Sequence, residues 1–297
     1  MYVKPTTPRS IGGIVDDGIR LYRGAFSQCL PLALIGQICL FIPGIIIQYE
    51  FRGVLGAGNP QAVLAVFKSP IVWVPYGLGV IVFFGFYNAL IVQLEGVALT
   101  QPVPRGRAAA AGFRLLPRTV LLFLIMFVGF FALSIAAALL GGVLGGILTA
   151  MLGKTAAPLL VGLAMVIVAG IALYVWGRVF LAHIALLVEN AGAFKSLGIS
   201  WTLIEGCWWR CAAVYSIAFI IMLVFYLLVA AVNGSMTGFS PRTPFGVGTV
   251  IAQLVSFAGG TVLMTFIPAV LLAVYHDLKL RKDGTDLAGR VSALAPQ

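Results

Sequence analysis

A chain of 297 residues with 61% apolar and only 9% charged side chains is not a soluble globular protein, because such proteins average about 45–50% apolar and about 25% charged. The net charge of +10 would suit a nucleic acid or an anionic membrane surface. The basic residues, however, stand in short runs beside long apolar segments, which is a topogenic pattern. A lipid bilayer is therefore the expected surrounding, and no nucleic-acid partner is expected.

The first long apolar run begins near Phe26, after Lys4, Arg9, Arg20 and Arg23. It is too long for the apolar core of a signal peptide and is expected to stay as an anchor. Before it, Ile11, Ile14, Val15, Gly18, Ile19 and Tyr22 fall at helical spacing, with Asp16, Asp17, Arg20 and Arg23 elsewhere. A helix needs about 20 apolar residues to cross the hydrocarbon. Six segments satisfy this: Phe26 to Gln48, Ile71 to Leu94, Val120 to Met151, Ala157 to Val188, Cys211 to Val232, and Val247 to Tyr275. The predicted fold class is an all-α polytopic membrane helical bundle, a single domain over 1–297 with a flexible tail at 288–297.

The third and fourth spans exceed a straight crossing, so they are expected to tilt, kink or protrude. The link Gly153-Lys154-Thr155-Ala156 is short enough to force an antiparallel hairpin. Gly141, Gly142, Gly145 and Gly146 allow close helix contact or mark a break. Orientation follows from charge. Fourteen Lys and Arg residues fall on the side of the two termini and four on the other side, with Arg178 inside a span. Both termini are expected in the cytoplasm, with the spans in a prokaryotic cytoplasmic membrane.

Each odd-numbered span follows an amphipathic stretch. In the second, Ala108, Ala109, Phe113 and Leu116 oppose Arg107, Arg114 and Arg118. In the third, Leu197, Trp201, Ile204 and Trp208 oppose Lys195, Thr202 and Glu205. The three stretches align without gaps: Gly18-Ile19-Arg20-Leu21, Gly112-Phe113-Arg114-Leu115 and Ser200-Trp201-Thr202-Leu203. Successive copies lie 94 and 88 residues apart, and Glu95, Glu189 and Asp277, which close the even-numbered spans, keep the same separations. Three units of an amphipathic helix followed by a hairpin are predicted, at 8–100, 101–192 and 193–287. Such repeats occur in transporters and arise equally by duplication in scaffolds.

No catalytic constellation is visible: G-x-S-x-G, H-E-x-x-H, Walker A and G-x-G-x-x-G are all absent. Cys29, Cys39, Cys207 and Cys211 form no metal-binding spacing, so no metal, cofactor, disulfide or enzyme activity is expected. The candidate ligand or ion contacts are the polar residues in or beside spans. An arginine at the bilayer centre costs about 2.5–3.5 kcal/mol. Arg178 either snorkels as a structural residue or contacts a ligand. His183, on the same apolar helix, is expected to be satisfied by backbone or water, and His276 to be solvated. Glu95, Glu189 and Asp277 either ring a pseudo-threefold axis or pair with Arg20, Arg114 or Arg210.

The stretch Ala193-Phe194-Lys195-Ser196-Leu197, then Ser200 to Gly206 and Trp208-Trp209-Arg210, precedes a tail reading Tyr275-His276-Asp277-Leu278-Lys279-Leu280-Arg281-Lys282-Asp283-Gly284-Thr285-Asp286-Leu287. This resembles the membrane-domain family named after glycerophosphoryl diester phosphodiesterases, whose members commonly end in Y-x-D-L-R-x-R-x-E-G-x-D-L. Lys279 and Asp283 are conservative departures from it. The resemblance implies a six-span protein of a prokaryotic cytoplasmic membrane and no activity, since the phosphodiesterase of enzyme members is a separate soluble domain. Two functional expectations follow. One is a non-enzymatic membrane scaffold or accessory protein associated with a lipid or a membrane protein partner. The other is a small transporter or permease subunit, with a small-molecule or lipid ligand near Arg178.

Overall fold

Hydrocarbon offers no hydrogen bonds to a backbone, so an apolar chain must close its N–H and C=O groups internally, and helices do so within each segment. The computed structural model describes residues 5–55, 65–66, 68–237 and 247–283, and among them regular structure is helical throughout. The helices are α1 (Ile11–Leu55), α2 (Pro70–Ala98), α3 (Arg105–Val179), α4 (Ala182–Val188), α5 (Ala193–Ile204), α6 (Trp208–Thr237), α7 (Val247–Met264) and α8 (Phe266–Asp283). Six stretches are long and apolar enough to cross a membrane: Ile11–Glu50, Pro70–Ala98, Arg105–Met151, Leu160–Val188, Trp208–Ser235 and Val247–Asp283. They follow the six predicted spans in order. Lys4, Arg242, Arg290, the Gly284-Thr285-Asp286-Leu287 end of the tail motif and the tail 288–297 lie outside the described residues.

The boundaries differ from the sequence reading in two ways. The first two amphipathic stretches are continuous with the spans they precede, in α1 and α3, and only the third stands alone, as α5. Gly206, at φ 78°, makes the turn between α5 and α6, a conformation that favours glycine. Conversely, the fourth and sixth spans are broken near their ends. Pro268 has no N–H to give the Met264 carbonyl, so α7 stops there and hydrogen bonding resumes with Ala269 N–H to the Thr265 carbonyl at 3.2 Å. Before both breaks a side chain enters the helical ladder: Tyr22 Oη donates to the Val262 carbonyl and Trp208 Nε1 to the Tyr174 carbonyl. Val262 and Tyr174 are themselves 88 residues apart.

Helical hydrogen bonding runs through all 75 residues of α3, yet its two halves lie against each other. The Phe130 and Trp176 rings are 6.2 Å apart, and a Cβ on Gly141 or Gly145 would touch Met165 or Val161 at 3.3 Å. All three pairs are equidistant in sequence from Gly153, so the chain reverses there as the predicted hairpin requires.

In the first amphipathic stretch Ile14, Val15 and Gly18 of the predicted face are buried, whereas in the second and third the buried face is shifted from the predicted one. It follows the gapless alignment instead: Ile14, Ala108 and Ser196; Gly18, Gly112 and Ser200; Leu21, Leu115 and Leu203 are buried at each aligned position. Phe113 and Trp201 are partly exposed, with Phe113 edge-on to Phe86 and Trp201 against Arg178. Large apolar side chains need no protein cover in lipid, while short ones let backbones approach. The aligned short residues meet an even-numbered span in each case. Gly18 sits against the Val270 backbone, Gly112 against Gly85 and Ala89, and Ser200 Oγ donates to the Arg178 carbonyl at 2.7 Å.

The core gathers around α8, which is buried on nearly every face from Phe266 to Leu278. Leu21, Leu90, Leu94, Leu181, Leu186 and Ile204 pack with it. A helix apolar all round belongs at the centre of a bundle.

Candidate functional site

The three aligned acids converge on α8. His276 Nε2 lies 3.0 Å from Glu95 Oε2, and His276 is 3% exposed. The expected solvated His276 is thus corrected: it lies on the face of α8 turned to the end of α2. Glu189 Oε1 accepts from Tyr275 Oη at 2.5 Å and from Lys279 Nζ at 2.8 Å. These two donors hold the Glu189 carboxyl below the ordinary carboxylate range, helped by the charges of Lys279 and Lys195, with burial opposing. Asp277 is buried and accepts from Arg281 Nε at 2.8 Å and from the Arg9 backbone N–H at 2.7 Å, and the Arg210 guanidinium forms an ion pair with it at 3.5 Å. Among the described residues, Arg210 is the one predicted partner that reaches one of these acids. Arg20 pairs with Asp16 on its own helix at 2.7 Å. Arg118 instead ties α3 to the Asn190 turn, at 2.8 Å to Oδ1. Chemically this belt fastens the ends of α1, α2, α4 and α6 to α8.

Arg178 occupies the last turn of α3. Its guanidinium lies 4.7 Å from the Trp201 ring centroid and 5.1 Å from that of Tyr174. A guanidinium between aromatic faces is attracted by their quadrupoles and sheds water at little loss. It lines none of the cavities described below.

His183 is buried in a polar network that the sequence did not reveal. Its Nε2 lies 2.8 Å from Asn88 Oδ1, while Asn88 Nδ2 donates to Thr119 Oγ1 at 3.0 Å and to the Gly112 carbonyl at 3.1 Å. Tyr87 stacks on the imidazole and Phe123 meets it edge-on. The partner is therefore a side chain of α2 rather than the expected backbone or water, and the network ties α2, α3 and α4 together.

Three of the cavities among the described residues bear on these groups. An apolar groove of about 870 Å³ opens between the halves of the α3 hairpin, lined by Phe123, Phe127, Phe130 and Trp176 among others. A second, of about 720 Å³, lies between the end of α3, α6 and α8, with Tyr215, Trp208 and Phe180 on its walls. The third, of about 420 Å³, is of another kind. It lies between α1, α6 and α7 and is lined by Gln37, Gln48, Asn233, Thr249, Gln253 and Ser256, together with apolar neighbours. Gln37, Phe41, Gly44 and Gln48 recur at i, i+4, i+7 and i+11 on α1, and Thr249, Gln253, Ser256 and Gly260 at the same spacing on α7. The two faces meet antiparallel. Gln253 Nε2 donates to Gln48 Oε1 at 2.8 Å, and the Phe41 and Phe257 rings are 5.0 Å apart. Asn233 Nδ2 donates to Ser256 Oγ at 2.6 Å. The repeated spacing of polar residues in spans one and six was the signal that could have disclosed this cleft from sequence.

Among the described residues, no group of three His, Cys, Asp or Glu side chains is placed to hold a metal ion. Compared with family models, curated proteins and solved structures, the chain matches none. Fold and polar belt together define a polytopic α-helical membrane protein.

Proposed function

We propose that this is a non-enzymatic accessory protein of a prokaryotic cytoplasmic membrane, with both termini cytoplasmic, whose α3 hairpin docks a membrane protein partner. The observation that carries the reading is the contrast between the two ends of the molecule. At the polar end, helices are locked to α8 by packing and ion pairs. Beyond it the hairpin stands almost uncovered: Leu139, Val143, Met151, Leu163 and Val166 are each more than half exposed. A Cβ on Gly142 or Gly146 would meet no described atom within 4 Å, so among the described residues this small-residue face is open to close approach by another helix. The resemblance to the phosphodiesterase-named membrane-domain family, and the three aligned units each closing on an even-numbered span by a short residue, support the same architecture without adding an activity.

The test places a photocrosslinking residue at Phe131 or Leu139 in the full chain in native membranes. One reproducible protein partner is expected, lost when Gly142→Val and Gly146→Val are combined. Crosslinking to bulk lipid alone would remove the reading. A small transporter is the second reading. What favours it is the polar cleft between α1, α6 and α7, since Arg178 faces aromatic rings and no cavity.

A further inference from the structure

Polar side chains within a span are costly to place in hydrocarbon and mark binding paths unless they merely bind each other. Mutual bonding does not account for this cleft. A carboxamide offers two donor hydrogens and an oxygen with two lone pairs. Gln48 and Gln253 spend one bond on each other, and among the described residues the Gln37 carboxamide has no hydrogen-bond partner. Gln37 also occupies a place prepared for it: a Cβ on Gly260 would lie 2.6 Å from its Nε2, so only glycine there leaves the amide its position. Eleven residues separate Gln37 from Gln48, so the polar seam extends about 16 Å along α1, from mid-span toward the end opposite the acidic belt.

The chemistry of the lining selects the ligand. Among the described residues that line the cleft there is no Asp, Glu, Lys or Arg, so a charged ligand would lose its hydration without a countercharge from them. Carboxamides and hydroxyls both donate and accept, as hydroxyl groups require. Phe41, Leu40 and Ile45 supply an apolar wall for C–H surfaces. The volume of about 420 Å³ falls within the usual range for small-molecule sites. We infer that the cleft binds a neutral polyhydroxylated group of hexose size, either a free sugar or the sugar headgroup of a glycolipid. The site lies on different helices from the docking hairpin, so either reading can fail alone.

The experiment uses the full chain in phospholipid nanodiscs with two probes. D-glucose is added to the buffer and followed by saturation-transfer NMR. Monoglucosyl diacylglycerol is included in the disc and followed by native mass spectrometry. Wild type is expected to bind at least one probe. Gln37→Leu should bind it about tenfold more weakly, as loss of a polar partner implies. Gly260→Ala keeps every polar group but displaces the Gln37 amide, and should also weaken binding at an unchanged unfolding temperature. Binding of glucose identifies a free sugar as ligand, and binding of the glycolipid alone identifies a headgroup. Binding of neither probe, or equal binding by wild type and both variants, overturns the inference.

Discussion

Glu189 shows how a single residue of the acidic belt contributes. Its carboxyl is held below its ordinary value by hydrogen bonds from Lys279 and Tyr275. A carboxyl with a depressed folded-state value stabilises fully above the ordinary carboxylate range, near pH 4.3, and the contribution fades as pH falls through the lower folded value. Glu189→Gln is therefore expected to destabilise the protein by about 1 kcal/mol at neutral pH, a modest sum because the pair is partly solvated. The gap to wild type should close as the medium is acidified toward pH 3. Denaturant titration in mixed micelles across that range measures it, and a gap independent of pH would contradict the assignment. Arg178 makes a different prediction. Between Tyr174 and Trp201, its loss in Arg178→Ala should cost about 0.5–2 kcal/mol of stability. Ligand retention in the nanodisc assay should stay intact, and a variant of normal stability that lost the ligand would restore the binding role for Arg178.

At the scale of elements, closeness of backbones decides what each helix tolerates. Gly112 meets the Gly85 and Ala89 backbones, which have no flexible end to yield. Gly112→Val should separate α2 from α3 and strip Gly112 of its bond to Asn88, costing about 1–3 kcal/mol or more through overpacking. Gly142→Val, on the open face of the hairpin, should leave stability within about 0.5 kcal/mol of wild type, as substitutions away from packed contacts do. Parallel unfolding curves distinguish the two, and equal losses would show that the hairpin face is covered. The helix breaks belong to this scale too. Pro268 announces its break in the sequence. The break after Val179 has no such residue, and the incoming Trp208 and Ser200 side chains take up the Tyr174 and Arg178 carbonyls there.

For the whole molecule, orientation follows from the distribution of Lys and Arg. A reporter fused after Gln297 is expected to be active only in its cytoplasmic form, and activity of a periplasmic reporter at that position would overturn the proposed topology. The architecture also separates two tasks: a fastened end built around α8, and an open end that carries the hairpin and the polar cleft.

The number of spans, their order, the hairpin at Gly153 and the positions of the three acids were all legible in the residues. They depend on hydropathy, chain length and local spacing, which a sequence carries directly. In the second and third units the buried stripe was legible through the alignment of the units rather than through amphipathicity, because short residues let backbones approach while Phe113 and Trp201 need no full cover in lipid. The pairing of His183 with Asn88, the burial of His276 against Glu95, the capture of Arg178 by Trp201 and the joining of two glutamine faces into one cleft were decided by tertiary structure alone. Each joins residues far apart in the chain, and helical periodicity fixes which face a residue is on but not which helix that face will meet.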